Sequence, residues 1–122
     1  MSKVKAVRNK DREIPKGFVR IDCPPELFDA EDAFVMRRKR VPVYRVNAIK
    51  SATQDDQLYK DLAVVFPKWQ GITDVETGDE LPNPEDDPTV FSRLDLFEQL
   101  PWFGDMLQVK PTNPKKSTRN RT

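Results

Sequence analysis

Apolar side chains fall along this chain in two kinds of group: short clusters rich in strand formers, then clusters spaced for a helix, with prolines and acidic turns between them. Gly17-Phe18-Val19-Arg20-Ile21-Asp22 is rich in β-branched and aromatic residues. It stops at Pro24-Pro25, which cannot donate to a ladder, and so predicts a short strand. After the acidic turn Asp29-Ala30-Glu31-Asp32, the segments Ala33 to Met36 and Val41 to Ile49 read as extended. In the second, Tyr44, Val46 and Ala48 share one face, Arg45 and Asn47 the other, and Pro42 marks an edge or a break. Thr53-x-x-Asp56 resembles a capping box, and Leu58, Leu62, Val65 and Phe66 follow at helical spacing, which predicts a helix ending before Pro67. From Trp69 to Pro88, glycines and prolines predict irregular backbone with one tight reversal at Glu76-Thr77-Gly78-Asp79. Asp95-x-x-Glu98 is a second capping signature ahead of Leu96, Leu100, Phe103 and Leu107. Pro101 interrupts that run and predicts two short helices in place of one. The pattern is α+β: short N-terminal antiparallel strands followed by two or three helices, with no internal repeat.

Charge sharpens the domain plan. Residues 1–16 carry six cations against two acids and residues 108–122 five cations and no acid, so within a net charge of +1 the middle of the chain, 17–107, stands at −8. Both ends are poor in large apolar residues and read as disordered: a flexible basic arm (1–16) and a flexible basic tail (108–122) around a single small α+β domain (17–107). The apolar fraction of 37% allows only a small core in 122 residues. The longest apolar run, Leu62 to Phe66, is far short of the ~20 residues a membrane span needs, and the N-terminus lacks the apolar stretch of a signal peptide. A soluble protein in a reducing compartment is expected, with no membrane partner.

The chain has no histidine, which removes the commonest general base, the usual metal ligand and every Ser-His or Cys-His pair. Its single cysteine, Cys23, lies before Pro24 without an activating base and reads as a small buried apolar residue. Carboxylates are abundant, but nothing marks one pair as buried, so neither an enzyme nor a cofactor is expected. Asp74, Glu76, Glu80 and Glu85 mimic positions 1, 3, 7 and 12 of a calcium loop. Gly78 falls one place early for it, and Pro82 and Pro84 stiffen the part that must wrap. Arg37-Arg38-Lys39-Arg40, in an acid-free stretch from Ala33 to Gln54, is the best candidate for nucleic-acid contact. It lacks interleaved aromatics and adjoins an acidic body, which favours a solvated turn or an internal partner for the acidic loop. The remaining candidate surface is a stripe of leucines and aromatics: Leu58, Leu62, Phe66, Trp69, Leu96, Phe97, Leu100, Trp102 and Phe103. Such a stripe is a core, and any part left open is a groove for another chain's amphipathic helix.

Trp69-Gln70-Gly71-Ile72-Thr73-Asp74 and Thr77-Gly78-Asp79-Glu80-Leu81-Pro82, set between a helix ending at Phe66 and a leucine-rich helix from Asp95, resemble the tail assembly chaperones of long-tailed bacteriophages and prophages. The resemblance covers Thr53 to Leu107. It implies a non-enzymatic protein of the host cell cytoplasm that self-associates and holds an apolar helical partner such as a tape measure protein, with Trp69, Gly71, Asp74, Gly78, Leu81 and Pro82 as scaffold. The basic termini depart from that family and leave an alternative open, a small nucleic-acid-associated or regulatory phage protein binding through its basic arms.

Overall fold

The computed structural model describes residues 14–108; the arms foreseen at 1–16 and 108–122 lie almost wholly outside that range. Three strands, β1 (Phe18–Asp22), β2 (Phe34–Arg38) and β3 (Lys68–Gln70), form an antiparallel sheet in the order β1-β2-β3. The register sets Ile21 opposite Val35 and Val35 opposite Trp69. Between the strands lie helices α1 (Pro25–Phe28), α2 (Val43–Lys50) and α3 (Asp55–Val65); a 3-10 helix (Pro88–Arg93) and α4 (Gln99–Met106) follow. The class is α+β.

β2 is the central strand and is buried from Phe34 to Arg37. Alternation sends Val35 and Arg37 to one face and Phe34 and Met36 to the other. Val35 joins the main core, while the Arg20 guanidinium lies 4.2 Å over the Phe34 ring. At the end of β3, Gly71 takes φ +81°, and a Cβ there would stand 3.0 Å from the Ala33 Cα, so both backbone geometry and the close approach to β2 require glycine.

The core is aromatic and centred on Phe103, whose ring packs against Phe28, Phe66, Trp69, Phe91 and Trp102, nearly all edge to face. Phe91 reaches it from the 3-10 helix, which begins at Pro88 where the expected irregular stretch ends. The reversal at Glu76–Asp79 is present. Gly78 takes φ +81°, its N–H donates to the Asp74 carbonyl, and the Asp74 carboxylate accepts from the N–H groups of Glu76 and Thr77.

The structure corrects the sequence reading in three places. Val41 to Ile49, expected to be extended, is helical from Val43. Pro42 is the N-cap, where its missing N–H costs nothing, and the helix buries Ile49 and ties Arg45 to Asp61 of α3 at 2.8 Å. Docking of that face outweighs the β preference of its valines. The Thr53 capping box does not form: Gln54 is the N-cap of α3 and makes no side-chain cap bond. Pro101 does not split the last helix, because it is the third residue of α4, within the first turn, whose N–H groups have no helical acceptor. The Asp95 signature is real but closes on a different partner. Asp95 Oδ1 accepts from the N–H groups of Phe97 and Glu98, while its own N–H donates to Gln99 Oε1 in place of Glu98.

Candidate functional site

The leucine stripe divides. Phe66, Trp69 and Phe103 are buried in the core with Leu62 beside them, and Trp102 is half-buried against Phe28 at 5.1 Å between ring centroids. Leu58, Leu96 and Leu100 instead line, together with the buried Leu62, one apolar groove of about 280 Å³, completed by Ile49 and Lys50 at the end of α2, by Pro101 and Gly104 on α4, and by Leu107. Helical geometry explains the convergence. Leu58 and Leu62 are one turn apart on α3, as are Leu100 and Gly104 on α4, so each pair presents a single face. Leu96 is 62% exposed and its neighbour Phe97 84%, held there by the turn that Asp95 caps. So large an aromatic left in water beside an apolar groove marks a surface suited to a partner chain.

Lys50 is the one charged residue in the groove's lining among the described residues, while Asp55, Asp56, Lys60, Glu98 and Asp105 are exposed elsewhere on the helices and turn that form it. Half-burial, followed by the carboxylates of Asp55 and Asp56, raises the Tyr59 phenol above its ordinary range. Gln99 and Asp61 are buried but satisfied: Gln99 Nε2 donates to the Leu27 carbonyl at 3.0 Å, and Asp61 accepts from Arg45 and Gln57.

The four cations proposed for nucleic acid do not form one patch. Arg37 is 2% exposed, and its Nη1 donates to the Met106 carbonyl of α4 at 2.6 Å. Arg38 Nε donates to the Val64 carbonyl of α3, also at 2.6 Å. Consecutive strand positions point to opposite faces, so two adjacent arginines reach the C-terminal carbonyls of two different helices, where cations are favoured. Lys39 and Arg40 are exposed. Three of the four carboxylates of the calcium-like spacing also have separate partners. Asp74 serves its own loop and Arg93, Glu80 accepts from the Gly71 N–H, and Glu85 pairs with Lys68.

Of the scaffold residues that the resemblance implies, Trp69 is buried and its indole N–H donates to the Leu81 carbonyl, while Pro82 is exposed. Cys23 is buried as foreseen; desolvation, with the neighbouring Asp22 carboxylate, pushes its thiol up to about 12. The groove residues that sequence reasoning missed are Ile49, Lys50, Pro101 and Gly104, while Leu107 continues the helical run of Leu96, Leu100 and Phe103. Ile49 was hidden by assigning its segment to a strand. Gly104 carried a signal, being a glycine at a helical position with no turn to make. No family model matches the chain, and neither a curated protein nor a solved structure matches it.

Proposed function

We propose that the protein is a non-enzymatic assembly protein of the tail-assembly-chaperone kind, which self-associates in the host cytoplasm and holds an apolar helical partner such as a phage tape measure protein. The observation that carries this reading is the open apolar groove between α3 and α4, with Leu96 and Phe97 exposed on the turn beside it. A groove lined by side chains one turn apart on two helices has the shape that accepts the apolar stripe of a third. The acidic stretch from Asp74 to Asp87 keeps a loaded complex in solution by adding net charge away from the groove. Capture of this kind is driven by removing apolar area from water, an attraction that salt does not screen.

Co-expression with a long, helix-rich tail protein tests the reading. The expected result is a soluble complex that forms with the native chain and fails with Leu100→Asp. A tail protein that stays as insoluble with the native chain as without it overturns the proposal.

A further inference from the structure

Phe97 is the most exposed large apolar residue among those described, at 84%, and it does not fold back to line the groove beside it. Its turn is fixed. The N–H groups of Phe97 and Glu98 donate to Asp95 Oδ1, the Asp95 N–H donates to Gln99 Oε1, and Gln99 Nε2 reaches the Leu27 carbonyl, so the ring is held out in water on an ordered support. In the groove's lining, Gly104 leaves a gap. A Cβ built there meets no atom within 4 Å, so neither packing nor backbone conformation demands glycine, although glycine is the poorest helix former after proline. Lys50, the one charged group of the lining, and Glu98, the residue after Phe97, make no ion pair among the described residues.

We infer that in the free protein a second copy of this chain covers the groove: about a two-fold axis, Phe97 of each copy enters the other's channel between α3 and α4, and Glu98 of each meets Lys50 of the other. This rests on the reading of the protein as self-associating and names the surface it uses. A two-fold pairing needs both halves of the contact on one face of the chain, and Phe97 adjoins its own groove through Leu96, which lines it. Each copy thereby takes the other's exposed ring and open channel out of water, and Gly104 gives the entering ring room. The cation of one lining and the anion beside the entering ring complement each other twice in the pair and fix the direction of approach.

Analytical ultracentrifugation of the full-length protein, with no helical partner added, gives the test. The expected result is a dimer in concentration-dependent equilibrium with monomer, whose dissociation constant rises about a hundredfold in Phe97→Ser because each dimer loses two rings. Lys50→Glu alone should weaken the dimer about tenfold at low salt, and Lys50→Glu combined with Glu98→Lys should restore it. Both side chains are exposed in the single chain, so these exchanges leave the fold undisturbed. Gly104→Ala should weaken the dimer severalfold while the circular dichroism spectrum is unchanged. A dimer that survives Phe97→Ser, or a charge exchange that restores nothing, overturns the inference and leaves self-association through another surface standing. A chain that stays monomeric at millimolar concentration overturns self-association as well, whereas capture of the helical partner is judged separately by the co-expression experiment.

Discussion

The two sides of α4 carry similar residues to opposite ends. On one side Phe103 is fully enclosed by rings from α1, the sheet, the 3-10 helix and the end of α3. On the other, Leu100 and Gly104 face an open channel, and Phe97 just before the helix stands in solvent. Aromatic character alone does not decide whether a residue builds this fold or is free to meet a partner. What decides it is whether another element lies opposite. The sheet and the 3-10 helix close one side, whereas α3 and the end of α2 line the other without closing it.

The sharpest way to break this comparison is to remove side chains from each side. Phe103→Ala should cost about 3–5 kcal/mol, because the ring leaves a cavity that its aromatic neighbours cannot fill. Chemical denaturation reads this directly, and a loss below about 1 kcal/mol would mean that the core is not centred where the packing places it.

Arg37 offers the next largest effect. Replacing it by Met should destabilise the fold by about 1–3 kcal/mol, since the Met106 carbonyl loses its buried donor. Burial lowers the pKa of the guanidinium, yet an arginine stays charged throughout the accessible range, so this contribution should not titrate. Exchanging Lys39 and Arg40 for Gln should change stability by no more than about 0.5 kcal/mol in the same denaturation measurement. Equal effects from the two sets would dissolve the distinction between the buried arginine and its exposed neighbours.

On the open side, Phe97→Ser should leave stability within about 0.5 kcal/mol of the native chain while reducing partner capture. Gly104→Ala should raise stability by up to about 1 kcal/mol, because the helix gains propensity and the methyl enters open space. A protein that gains stability while losing capture would separate fold from function at a single methyl.

The last effect is absent at neutral pH and appears only in alkali. The Cys23 thiol is raised from its ordinary value of 9.0 to about 12, so the folded state disfavours the thiolate. Its contribution is complete below pH 9.0 and is lost as pH climbs toward about 12, where unfolding releases the proton. Thiol alkylation at neutral pH should accordingly be slow in the folded protein and fast in denaturant. Rapid labelling of the native chain would show that this part of the core opens.

Local pattern determined much of this protein. The strand before Pro24-Pro25, the spacing of Leu58, Leu62, Val65 and Phe66 in α3, and the Gly78 reversal all follow from interactions within a few residues of one another. The α+β class follows from their sum. Tertiary structure decided the rest. Val41 to Ile49 carries both a strand-like and a helical reading, and the Arg45–Asp61 pair with the burial of Ile49 selects the helix. Arg37 to Arg40 are alike as a sequence, but the strand points Arg37 toward the end of α4 and Arg38 toward the end of α3. Which leucines of the stripe stay open depends on the direction in which α4 crosses α3, a relation between elements far apart in the chain. Periodicity places side chains on a face; only the packing of distant elements determines whether that face is covered.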